Sequence, residues 1–191
     1  MTVVFGLVLG IMNTYGTAIG IICNQLEYSE DNASLFGAVF IVGGIVGSGV
    51  FGGIVEVYKN YRVATIVICT ATAVTPIALL FSLQSHSVAL VTISCFVVGF
   101  ASVSILPVGI DFGVELTHPI PESISSGLLM SMGQFFGIVF TIVVSIIITR
   151  KGDAGVIIGQ CIMIVVAGIA AVLSFLVKED LKRLKEQKNA S

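Results

Sequence analysis

Six stretches of this 191-residue chain carry almost no charge, and each is long enough to cross a bilayer. They run from Thr2 to Asn24, Asn32 to Val55, Val63 to about Leu83, Val88 to about Ile110, Ser123 to Ile148, and Ala154 to Val177. A helix of about 20 apolar residues spans the roughly 30 Å of hydrocarbon in a membrane. Residues 63–110 contain no Asp, Glu, Lys or Arg, and the polar run Gln84-Ser85-His86-Ser87 divides them into two spans. Charged residues make up 10% of the chain, against about 25% in a soluble domain, so lipid is the solvent for which it is built. The apolar runs are continuous rather than alternating, which argues against a membrane β-barrel. In lipid the backbone must then satisfy its own hydrogen bonds within helices. The expected fold is an all-α membrane protein, with residues 1–177 as a six-helix membrane domain and 178–191 as a cytoplasmic tail.

The nine basic residues orient the bundle. With both termini in the cytoplasm, that side holds Lys59, Arg62, Lys178, Lys182, Arg183, Lys185 and Lys188, and the outer side holds only Arg150 and Lys151. This obeys the positive-inside rule. The first span lacks a basic start and a small-residue cleavage site, so it reads as a retained helix rather than a signal peptide. Asn32-Ala33-Ser34 is an outward-facing glycosylation sequon at the mouth of the second span, too close to the membrane for modification. Asn189-Ala190-Ser191 has the same pattern on the cytoplasmic side, where it stays unmodified. The basic tail is expected either to extend the last helix along the membrane surface, with weak attraction for anionic lipid, or to be a solvated end.

Glycines recur four apart: Gly6 and Gly10, Gly16 and Gly20, Gly43 and Gly47, Gly49 and Gly53, Gly133 and Gly137, Gly155 and Gly159. Lipid gives helices little hydrophobic reason to associate, so close backbone contact at small residues matters. The second span, with FIVGGIVGSGVFGG, should press tightly against a neighbour. Pro76 and Pro107 each remove a backbone donor and should bend their helices, as structural kinks or as gate elements. The cysteines Cys23, Cys69, Cys95 and Cys161 have no paired spacing and read as small apolar residues.

No ionisable residue lies near a span centre. The polar groups at depth are Asn13, Thr14, Tyr15 and Thr17 in span one, Gln134 in span five and Gln160 in span six. An unpaired amide in hydrocarbon costs roughly 2–7 kcal/mol. Asn13 and Gln134 must therefore bond another helix or face a watery cavity. On the cytoplasmic side, Asp111 and Glu115 share a helix face, and Glu56, Lys59 and Arg62 follow span two. Opposite charges there can latch helix pairs when an inner gate is shut, or stand as separately solvated loop charges.

Enzyme chemistry finds no support. The two histidines, His86 and His118, fall in loops, so neither an intramembrane metal centre nor a serine–histidine pair can be assembled at depth. No phosphate-binding GxxxxGK[ST] loop is present. No cofactor, metal or nucleic-acid partner is expected.

Two stretches resemble the feline leukaemia virus subgroup C receptor family, solute carrier family 49 of the major facilitator superfamily. The first is PVGIDFGVELTHPIPESISSGLL, Pro107 to Leu129, continuing through Gln134-Phe135-Phe136-Gly137 to Phe140-Thr141. It is similar to the family's tenth and eleventh helices and their connecting loop. The second runs from Gly10 through Asn24-Gln25 to GGIVEVYKNYR and is similar to the seventh and eighth helices. There, Gly52 followed by Glu56, Lys59 and Arg62 resembles a degenerate superfamily loop motif. The resemblance covers nearly the whole chain, but only the carboxy-terminal half of the family's twelve helices. Two sets of three spans in opposite orientation also fit nested inverted repeats.

The resemblance implies movement of choline, ethanolamine or haem by alternating access. It places Gln134 where a glutamine of the choline carriers helps hold substrate. An ungapped match puts Thr17 where those carriers have a tyrosine, with Tyr15 two residues earlier. The expectation is half of a solute carrier, multi-pass in the plasma membrane, with Gln134, Asn13, Tyr15 and Thr17 at the substrate site. Glu56, Lys59, Arg62, Asp111 and Glu115 would form the inner gate. Its partners would be a small organic solute, the lipid bilayer, and either a missing amino-terminal half or a second copy. The alternative is a non-transporting six-helix protein that binds and modulates a full-length carrier.

Overall fold

The computed structural model describes residues 1–85 and 87–177, so His86 and the tail, including its basic residues and second sequon, lie outside the described residues. The elements are α1 (Thr2–Gln25), α2 (Glu30–Tyr58), α3 (Tyr61–Gln84), α4 (Val88–Val103), α5 (Ile105–Thr117), α6 (Glu122–Lys151) and α7 (Asp153–Leu176). The end-to-end pair α4 and α5 forms one span, so six helical segments among the described residues are long and apolar enough to cross a membrane. The fourth span is longer than its charge-free core suggests. Asp111 and Glu115 lie inside α5 rather than beyond it.

Local signals set the helix ends. The Ser29 side chain accepts the Asn32 N–H at 3.3 Å at the start of α2, and Glu30 and Asp31 fill its first turn, where the helix dipole favours negative charge. Asn32 therefore sits within a helical turn. Arg150 and Lys151 occupy the last turn of α6, where the dipole favours cations. A single residue, Gly152, joins α6 to α7 at φ +60. A left-handed φ of this kind is tolerated best by glycine.

The prolines act differently. Helix α3 runs unbroken through Pro76. Before Pro107 the helix breaks at Ser104. Proline has no N–H to offer the carbonyl four residues back, which here is Val103. The Ser48 hydroxyl on α2 donates to that carbonyl at 3.3 Å, so the carbonyl that the proline leaves without its helical donor has another one.

Helix α1 is the most enclosed, while α2 and α6 turn most of their surface outward. The principal contacts pair α1 with α6, α2 with α4, and α3 with α7. Exchanging the first three spans with the last three maps the first two pairs onto each other, as inverted repeats require. Both pairings rest on glycine. A Cβ at Gly43 or Gly47 would strike the carbonyl oxygens of Phe96 and Phe100, and one at Gly99 would strike that of Phe40. Gly10 lies against Phe136 and the Gly137 backbone, and a Cβ there would come within 2.8 Å of the Phe136 Cβ. Gly16, Gly20, Gly49 and Gly53, by contrast, face open space. The glycine spacing thus marks contact in some pairs and open room in others. The four cysteines are free, and three of them are buried.

Candidate functional site

Midway along the α1–α6 seam, two side-chain amides meet. Asn13 Nδ2 donates to Gln134 Oε1 at 3.3 Å. About two turns further along α6, Thr141 Oγ1 lies 3.3 Å from both Thr14 Oγ1 and Thr17 Oγ1. Thr14 donates to the Gly10 carbonyl at 2.8 Å and Thr17 to the Asn13 carbonyl at 2.9 Å. A hydroxyl has one proton, so the two α1 threonines commit theirs to their own helix, and Thr141 supplies the proton between them. Thr141 was not among the sequence candidates. Its position seven residues after Gln134 puts both on one helix face, and that spacing could have found it.

This seam borders an open cavity of about 380 Å³, lined by Met12, Asn13, Gly16, Thr17, Gly37, Phe40, Ile41, Ile45 and Val103. Its walls are apolar, with Asn13 and Thr17 as polar positions. Asn13 is half-buried, and Gln134 and Thr17 are exposed. Asn13, Thr17 and Gln134 are thus brought together.

Tyr15 stands apart from them. Two residues from Asn13 along a helix means about 200° of rotation, and Tyr15 accordingly faces the protein interior at 2% exposure. Its hydroxyl donates to Gln160 Oε1 on α7 at 2.8 Å. Gln160 is buried too, and its Nε2 has no hydrogen-bond partner.

The charged candidates gather at the end that carries the α2–α3 and α5–α6 turns. Glu56, Lys59 and Asp111 are exposed, Arg62 is half-buried and Glu115 is buried. Arg62 Nη2 donates to the Phe175 carbonyl at 3.2 Å, which ties the start of α3 to the end of α7. Lys59 caps α2 in the left-handed conformation, with its N–H bonded to the Val55 carbonyl at 2.8 Å. Among the described residues, no group of three or more His, Cys, Asp or Glu is placed to hold a metal ion.

Six apolar spans in two inverted sets of three, with polar groups at mid-depth beside an open cavity, define half of a major facilitator bundle. No family model matches the chain, but curated proteins do. It is 30% identical to the choline/ethanolamine transporter FLVCR2 of Rattus norvegicus over 191 residues, which is 100% of this chain and 34% of that protein. It is 35% identical to the Homo sapiens protein of the same name over 159 residues, 83% of this chain and 30% of that one. It is 31% identical to the choline/ethanolamine transporter FLVCR1 of Mus musculus over 184 residues, 96% of this chain and 32% of that one. The chain belongs to the feline leukaemia virus subgroup C receptor family, solute carrier family 49. It spans about a third of the length of the curated relatives it matches.

Proposed function

We propose that this chain is the carboxy-terminal half of a carrier that moves a small organic solute of the choline/ethanolamine type across the plasma membrane by alternating access. The observation that carries this reading is the Asn13–Gln134 contact beside the open cavity, at mid-depth in a bilayer-spanning bundle. An interhelical bond of this kind is worth only about 0.6–2 kcal/mol, so a solute can replace it. Breaking it frees the Gln134 carbonyl and an Asn13 N–H, beside the amide hydrogens on Gln134 and the Asn13 carbonyl, for polar groups of the solute. Thr17 adds an acceptor oxygen. The Tyr15–Gln160 bond positions rather than contacts, because it fixes the rotation of α1 that turns Asn13 and Thr17 to the cavity. The names of the relatives support choline and ethanolamine as the first solutes to test, with haem as a competitor.

In this reading the termini are cytoplasmic, and Glu56, Lys59, Arg62, Asp111 and Glu115 form the inner gate. The other half of the cavity comes from an amino-terminal half or a second copy. The test is initial-rate uptake of labelled choline and ethanolamine by the complete natural protein carrying Gln134→Ala. Uptake is expected to fall by about 10-fold, equivalent to about 1.4 kcal/mol, with unchanged surface expression. Wild-type uptake would remove Gln134 from the site. If the wild type moves neither solute yet co-purifies with a longer homologue, the modulator alternative replaces this reading.

A further inference from the structure

We infer that Gly16 and Gly37 determine which solutes this cavity admits, by leaving room in it for the bulkier end of a solute. The inference rests on the transport reading above. A glycine inside a helix costs about 1 kcal/mol relative to alanine, and in this chain that cost often has a visible return. Gly43, Gly47 and Gly99 let α2 and α4 touch backbone to backbone, and Gly10 brings α1 close against α6. Among the described helices, Gly16 and Gly37 have no such return. A Cβ built on either meets nothing within 4 Å, yet both line the cavity of about 380 Å³. Gly20, Gly49, Gly53, Gly127 and Gly168 also stand in open space, but none of them lines this cavity.

The two glycines lie at matching depth. At 1.5 Å per residue, Gly16 is about 13 Å below the end of α1 and Gly37 about 10 Å below the start of α2. On α1, Gly16 adjoins Thr17 and lies three residues after Asn13, beside the polar groups. On α2, Gly37 shares a face with Phe40 and Ile41, three and four residues on, and all three line the cavity. A solute with its hydroxyl end at Asn13, Thr17 and Gln134 would therefore direct its nitrogen end, with whatever alkyl groups it carries, past Phe40 into the space these glycines leave. The solute class is a small organic cation whose bulkier end, the alkylated nitrogen, occupies the space beside these glycines.

The experiment compares labelled choline and ethanolamine, which differ in the bulk carried on nitrogen, in the complete natural protein. Gly16→Ala and Gly37→Ala are expected to lower the choline-to-ethanolamine uptake ratio about 10-fold, the lower end of what one methylene imposes in a filled pocket. Choline KM should rise, while thermal stability is unchanged or higher. Gly168→Ala on α7 should leave the ratio unchanged. An unchanged ratio in both cavity variants overturns the inference, and if Gln134→Ala still lowers uptake, the transport reading survives it. Absence of choline and ethanolamine uptake in the wild type overturns both.

Discussion

Tyr15 and Gln160 show how strictly a single residue is held at membrane depth. Each is buried, and they share one hydrogen bond of 2.8 Å. Tyr15→Phe removes the donor and leaves the Gln160 amide without a protein partner at either end, because its Nε2 has none. Stranding a buried polar group costs about 1–3 kcal/mol, whereas replacing both partners by apolar groups of similar shape is nearly neutral. Thermal unfolding of the purified protein in neutral detergent should therefore show Tyr15→Phe clearly destabilised and Tyr15→Phe with Gln160→Leu largely recovered. Equal losses in the two variants would mean that the bond does not hold α1 against α7. The same residue marks a limit of sequence reading. Polarity at depth singled out Tyr15 together with Asn13 and Thr17, yet α1 is apolar on nearly every side, so its pattern does not say which polar residue turns inward.

At the scale of elements, the two equivalent seams share close glycine contacts but differ in how many polar side chains cross them. The α2–α4 seam rests on backbone contact at Gly43, Gly47 and Gly99. The α1–α6 seam is threaded with amides and hydroxyls. Gly47→Ala would drive its methyl group into the Phe100 carbonyl oxygen and the Ser104 hydroxyl, and overpacking of this kind costs about 1–3 kcal/mol. Gly49→Ala faces open space and should be neutral or slightly stabilising on helix propensity. A thermal shift assay separates the two. The break at Ser104 yields a second element-scale prediction. Ser48→Ala should destabilise the protein by about 0.5–1.5 kcal/mol by stranding the Val103 carbonyl. In a Pro107→Ala background that cost should shrink, because residue 107 regains an N–H for the same carbonyl. A double-mutant cycle with no coupling would show that the Ser48 contact does not compensate for the proline.

For the whole molecule, the proposed gate makes a prediction of its own. Glu115 is buried in α5 near the end that carries Lys59 and Arg62. Glu115→Gln removes its charge and should shift the protein towards inward-open forms. That shift would show as greater reactivity of cysteines introduced on the inner cavity wall and lower reactivity of those on the outer wall. Unchanged reactivity on both faces would rule out the latch. At this scale the architecture was largely legible, since apolar run length alone separates the six spans. Their ends moved outward because helices continue into flanking polar residues, as α5 does through Asp111 and Glu115. The Pro107 bend was anticipated, but the break falls at Ser104, because proline removes a bond from the turn before it. The site was half legible. The cost of an unpaired amide in lipid picked out Asn13 and Gln134, but their pairing depends on the register between α1 and α6, which no local periodicity records.

The single-residue turn at Gly152 has a practical consequence for anyone mapping this protein in its membrane. With α6 ending at Lys151 and α7 starting at Asp153, the chain there has no slack to carry an epitope tag or protease site. Inserted residues would have to unwind a helix end or push apart a pair of helices in contact. The connections at 26–29 and 118–121 each have four residues between helices and are the places to insert reporters, one for each side of the membrane.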